Sequence, residues 1–222
     1  MAGLLAGSIT LADQPSIEKL EERARQLSPA LAASTVSLKS AAGQWGSGVF
    51  VSKSGVIFTA AHTFSGKNGE TVRVFQNGKK SQTATVVKID LEKDIAVLKL
   101  NDSKGTDNFV NVSLATNEAC TTPYIAAGHA TGFDPNRIAP VRFGFGYTSP
   151  QSGRILSTCR VNVGDSGGPL FNLDGGLVAI HRAMDASGKY TSHVPVTEFF
   201  TNWPELAEIA TPVTAGVLLA AN

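Results

Sequence analysis

The feature that most constrains this chain is its punctuation. Short β-prone runs cover Thr35–Leu38, Gly48–Ser52, Val56–Thr59, Thr71–Phe75, Thr83–Ile89, Ile95–Leu100, Tyr124–Ala127, Val141–Gly146, Arg154–Arg160, Pro169–Asn172, Leu177–His181 and Tyr190–Val194. Turn signals separate many of them: Ser54-Gly55, Asn68-Gly69, Asn77-Gly78, Asp174-Gly175-Gly176 and Ser187-Gly188. Glycine after a small polar residue supplies the positive φ that tight reversals need, so each signal has a mechanism. Many short strands at such spacing predict an all-β sandwich or a pair of barrels. A chain of 222 residues suffices for one large core or two closely packed small ones.

Helical periodicity occurs only at the two ends. Ser16 is placed to cap a helix in which Ile17, Leu20, Ala24 and Leu27 recur on one face, with Pro29 following its end. Val196–Phe200 and Glu205–Ile209 are helix-prone and split by Pro204, and residues from about 211 onward read as a loose tail. The expected division is an N-terminal segment with a helix over 1–33, a main body over 34–202, and a C-terminal helix and tail over 203–222.

Charge excludes some function classes. The formal net charge is +1 with no clustered basic excess, which argues against nucleic acid or an anionic membrane as partner. No stretch is long enough to span a bilayer. Cys120 and Cys159 form no disulfide framework; they either pair with each other or are two buried thiols. The four histidines lack ligand spacing with acids or cysteines, so no metal and no other cofactor is expected. The apolar opening Met1–Gly7 has no basic flank. It reads either as the stub of a secretory leader, with a cleavage point near Leu11-Ala12, or as an ordinary terminus.

Three segments carry chemistry, in the order Thr59-Ala60-Ala61-His62, Asp94-Ile95-Ala96-Val97-Leu98 and Gly164-Asp165-Ser166-Gly167-Gly168-Pro169. A serine hydroxyl is a weak nucleophile unless a base takes its proton, and the tetrahedral intermediate it forms needs backbone N–H donors for its oxyanion. A glycine-flanked turn serves both needs: Gly164 can turn its own N–H and that of Ser166 toward one point. His62 ends the apolar run Val56–Ala61, so its ring should emerge at the end of a buried strand. Asp94 opens an apolar strand, where a carboxylate can accept the Nδ1 proton of that imidazole and fix its tautomer; Asp90 is the rival.

The chain order His, Asp, Ser is the chymotrypsin order. With these segments, Val161–Leu170, Asn172–Ile180 and Tyr190–Pro195 make the chain resemble the trypsin-like superfamily, and within it the bacterial HtrA/Deg branch without a PDZ domain. The resemblance covers roughly Thr35 to Phe200. It implies an all-β fold of two perpendicular six-stranded β-barrels, His62 and Asp94 coming from the first and Ser166 from the second. It also implies a serine endopeptidase acting outside the cytoplasm, periplasmic or secreted, on peptides or unfolded proteins, and it allows a homo-oligomer. Asp165 stands where the HtrA branch usually has asparagine, so another donor or solvent is expected to meet it.

By the same resemblance Val161, Ile180, His181, Arg182 and Met184 would border the substrate. Val161, Ile180 and Met184 imply a small or medium aliphatic P1 residue. A histidine at the place of His181 binds P1 Glu or Gln in staphylococcal glutamyl endopeptidases and several viral relatives, and Arg160 and Arg182, nearby in sequence, would favour an acid if they face inward. Two other functions stay open: a protease fold that has lost turnover and serves binding, and a self-processing domain of a viral polyprotein.

Overall fold

Strands form at all of the β-prone runs. The computed structural model describes residues 15–102, 104–114, 121–185, 187–208 and 212–213. Strands β1 (Thr35–Lys39), β2 (Trp45–Phe50), β3 (Val56–Thr59), β4 (Thr71–Phe75), β5 (Gln82–Asp90) and β6 (Ile95–Leu100) close into an antiparallel barrel in the order β1-β2-β3-β6-β5-β4. A two-residue strand β7 (Val112–Ser113) follows. The second barrel is built from β8 (Thr122–Ala127), β9 (Val141–Thr148), β10 (Ile155–Ser157), β11 (Pro169–Phe171), β12 (Leu177–Met184) and β13 (Thr191–Pro195). Its order is β8-β9-β10-β13-β12-β11, and β11 closes back onto β8. The two six-stranded barrels are those that the resemblance implies.

Alternation along the strands builds two kinds of core at once. In β3 and β6, Ile57, Ala96, Leu98 and Leu100 fill the first barrel, while Val56, Phe58, Ile95 and Val97 point outward. That outward set meets Ile125, Ala127, Phe171, Leu177 and Ile180 of the second barrel in one shared layer. Strands with two buried faces read as continuous apolar runs rather than alternating ones, which is why Val56–Ala61 and Ile95–Leu98 look as they do. Helix α2 (Thr197–Asn202) seals the layer: Phe199 stacks on Phe58 at 4.3 Å between ring centroids. Each such fully buried aromatic contributes about 1.5–3 kcal/mol.

The ends differ from expectation in three respects. Helix α1 spans Ile17–Ser34 and runs through Pro29 instead of stopping before it. Proline removes an N–H and crowds the carbonyl of Arg25, but both residues face solvent, where that carbonyl is hydrated. Ser28 Oγ donates to Ala24 O at 2.7 Å, and the continuation buries Leu31 and Ala32. At the other end, β14 (Pro212–Val213) pairs in parallel with β7, so the expected tail contributes a short strand. A 3₁₀ turn over Pro204–Glu208 stands where the second C-terminal helix was expected. The leader-like opening, Cys120 and residues 214–222 lie outside the described residues. Cys159 is a buried thiol whose proton burial holds on, pushing its pKa up to about 11.

Candidate active site

His62 sits where a buried strand surfaces. The chain leaves β3 through a 3₁₀ turn, Ala61–Thr63, whose flanking alanines stay buried while the imidazole is 46% exposed. Asp94 ends the turn between β5 and β6 at φ +62°, a left-handed conformation that few non-glycine residues adopt. Its carboxylate explains why the conformation holds. Oδ1 accepts the His62 backbone N–H at 3.0 Å, and the ring Nδ1 lies 3.0 Å from both carboxylate oxygens. An ionised carboxylate can only accept, so Nδ1 carries the proton and Nε2 keeps a free lone pair. Asp90 instead accepts from Lys93 N–H and Asn202 Nδ2.

Ser166 lies on the loop entering β11. Three of its neighbours need glycine: a Cβ on Gly164 (φ +96°) would come within 2.7 Å of His129 O, and one on Gly167 (φ +83°) within 2.1 Å of Thr59 Oγ1. Gly168 would press on Ala127 O at 2.5 Å. The carbonyls of the loop are taken up on its far side. Ser47 N–H donates to Ser166 O at 2.7 Å, Ser47 Oγ donates to Gly164 O at 2.8 Å, and Thr131 N–H donates to Val163 O at 2.7 Å. The amides of Gly164 and Ser166 donate to no acceptor among the described residues. No hydrogen bond joins the Ser166 hydroxyl to the His62 ring among the described residues; such contacts commonly tighten only with substrate in place.

Ser47 is a member of this site that sequence analysis missed. It belongs to β2 of the first barrel, is fully buried, and accepts from His129 N–H while donating to the loop. Its only signal is the flanking Gly46 and Gly48. Arg142, in β9, is the second missed member. It supplies the donor that Asp165 was expected to find, with Nη2 3.0 Å from Oδ2, and the Asn162 N–H donates to the same oxygen at 2.8 Å. Asp165 is wholly buried and its Oδ1 has no partner among the described residues. Burial therefore pushes its carboxyl above the usual aspartate range, against the pull of the Asn162 amide and of Arg142. Arg142→Met leaves this carboxylate buried without its counter-charge and should cost about 3–5 kcal/mol. Adding Asp165→Asn should recover most of that loss; denaturant midpoints of the single and double variants are the check.

The expected substrate-binding residues separate into three groups. Val161 and Met184 are accessible. Ile180 and His181 are fully buried and offer substrate no surface here. Ile180 belongs to the layer between the barrels. His181 sits in a closed chain: Nε2 faces Ala127 O at 3.1 Å, Nδ1 faces His193 Nδ1 at 3.0 Å, and His193 Nε2 faces Ser157 Oγ at 2.8 Å. Burial holds the His181 imidazole neutral, with its pKa lowered to about 3 and the charge of Arg142 adding to the effect. Arg182 turns away to Asp94, with Nε 3.3 Å from Oδ2.

Comparison with known proteins agrees with this architecture. The described fold matches the crystal structure of the serine endoprotease from Yersinia pestis with a TM-score of 0.70, at 20% identity, over 88% of this chain and 68% of that one. A probable periplasmic serine endoprotease, DegP-like, from Halomonas elongata is 32% identical over 151 residues, 65% of this chain and 31% of the relative. Human serine protease HTRA3 is 27% identical over 190 residues, 72% of this chain and 38% of the relative. The matched stretch thus spans about a third of the length of these curated relatives. Residues 46–180 match the trypsin-like peptidase domain. Since that match takes in His62, Asp94 and Ser166 and more than half of the sequence, the chain belongs to the trypsin-like peptidase domain family.

Proposed function

We propose that the chain is a serine endopeptidase in which Ser166 attacks the peptide carbonyl, His62 moves the proton and Asp94 orients the histidine. The observation that carries the proposal is the imidazole whose Nδ1 is held 3.0 Å from both oxygens of a buried carboxylate, with its Nε2 free. In the first half-reaction the Ser166 oxygen bonds to the carbonyl carbon as Nε2 accepts the hydroxyl proton. The amides of Gly164 and Ser166 receive the oxyanion. Collapse breaks the C–N bond, the imidazolium returns its proton to the leaving amine, and an acyl-enzyme remains. Water repeats the sequence and frees Ser166.

Polypeptide segments outside the cytoplasm are the proposed substrates, in keeping with the periplasmic DegP-like relatives. Of the expected pocket residues, half-buried Val161 and exposed Met184 are the accessible apolar ones, and they support a small or medium aliphatic P1 residue. His181 lends no support to an acidic P1, because both of its ring nitrogens are engaged inside the barrel. Profiling on a peptide library should find Val and Ala cleaved ahead of Glu; Glu well ahead of both would reject the aliphatic assignment. The peptidase proposal itself is tested with a fluorophosphonate probe. The wild-type protein should be labelled at Ser166 and Ser166→Ala should not. Equal labelling of the two, or none of the wild type, would mean a fold used for binding rather than turnover.

A further inference from the structure

The structure places a cation on the triad. Between β12 and β13 the pairing runs His181↔His193 and then Ala183↔Ser192, so the register shifts at Arg182, the one residue of this stretch left without a partner of its own. A bulge of this kind bends the strand and re-aims the extra side chain. The neighbouring residue cannot drift, because Gly167 N–H donates to His181 O at 2.9 Å and His181 N–H donates to Gly168 O at 2.8 Å. Arg182 is thus anchored one residue from the nucleophile loop, and its guanidinium reaches across from the second barrel to Asp94 of the first. Nε lies 3.3 Å from Oδ2, with the arginine side chain 44% exposed and the aspartate side chain 7%.

Resting on the peptidase proposal, we infer that Arg182 is a positioning residue. It holds Oδ2 of Asp94 from one side while the His62 ring reaches both carboxylate oxygens and the His62 backbone N–H binds Oδ1, so that the carboxylate cannot rotate away from the imidazole. The other charged groups nearby are Arg154, which interacts electrostatically with Arg182, Asp94 and Glu198, and Lys93, which pairs with Glu198 at 3.1 Å. Arg154 has the same sign as Arg182, and the charges of Lys93 and Glu198 offset one another, so removing Arg182 should have an unambiguous sign. One cation fewer makes imidazolium easier to form, and the acid side of the activity profile moves to higher pH.

The test measures the fluorophosphonate labelling rate of Ser166 against pH, which needs no knowledge of the natural substrate. Arg182→Met should lower kinact about fivefold, leave KI unchanged, and move the acid limb up by about half a pH unit, the scale of a partly exposed ion pair. Arg182→Lys, which restores the charge without the Nε geometry, should return the limb but only part of the rate. An unmoved limb, or a change in KI alone, would overturn the inference, the second outcome making Arg182 a substrate contact instead. Should Arg182→Met fail to fold, Arg182→Gln carries the same comparison. Failure of the wild type to label sinks the peptidase proposal; normal wild-type labelling with indistinguishable variants sinks this inference alone.

Discussion

Ser166→Ala is expected to lower peptide hydrolysis on the order of a million-fold, provided bond making limits the rate. The size follows from what the hydroxyl does alone. In the proposed mechanism no acyl-enzyme forms without it, and the imidazole and the two amides would be left to assist water directly, which sustains only the residual acceleration of an oxyanion site. The fold should not be implicated. Ser166 is partly exposed, and the loop is held through backbone atoms, Ser47 N–H to Ser166 O and Gly167 N–H to His181 O, so the alanine keeps every one of those contacts. A surface truncation of this kind changes stability by less than about 0.5 kcal/mol. Steady-state rates with a cleavable peptide, alongside unfolding midpoints, check both halves. A variant within about tenfold of wild type would end the assignment of Ser166.

The second large effect is acid lability. His129, His181 and His193 are buried and held neutral. Burial lowers the pKa of His129 to about 4 and that of His181 to about 3, and it takes His193 well below 6.5, helped by His181. Their unfolded value lies near 6.5, so between pH 6.5 and about 4 the unfolded chain binds protons that the folded one refuses. Stability is therefore complete above pH 6.5 and falls as pH drops, by about 1.4 kcal/mol per pH unit for each histidine. At pH 5 the three together should have cost about 4–6 kcal/mol, the lower figure applying if the His181–His193 pair shares its first proton. Whole domains are stable by about 5–15 kcal/mol, so the native state should be marginal there. Urea unfolding from pH 7.5 to 5 should show two to three protons taken up per molecule unfolded, by about pH 5.5. Flat midpoints across that range would mean that these imidazoles are hydrated. Activity should fail with the fold, because His181 also carries the two backbone bonds to Gly167 and Gly168.

Local chemistry was readable ahead of the coordinates wherever it depended on neighbours in sequence. Val56–Ala61 and Ile95–Leu98 announce strands buried on both faces, and Gly164–Pro169 announces a loop whose backbone no side chain can crowd. Contacts made across the barrels were not readable. Ser47 and Gly164 are 117 residues apart, and nothing in a lone serine between two glycines says which loop its hydroxyl will meet. Arg142 looks like any polar residue on a strand until β9 brings it under Asp165. Alternation also fails at β12: it puts Arg182 and Ala183 on opposite faces, yet both are exposed, because the bulge between His181 and Ala183 resets the count, and a bulge leaves no mark in composition. The passage of α1 through Pro29 had a similar cause. Local propensity ends the helix there, and burial of Leu31 and Ala32, a tertiary gain, carries it on.

The anchoring of the nucleophile loop to β2 has a mechanical corollary. Ser47 grips the loop through one amide and one hydroxyl, so the shape of the anion pocket proposed at Gly164 and Ser166 is set by how the two halves of the molecule are seated, rather than by the loop alone. Prying the halves apart to admit a bulky residue would dismantle that pocket before the residue was accommodated. Under the proposed function, tolerance for different substrates would then reside in the outer rim around Val161 and Met184, where side chains can yield while the seam stays shut.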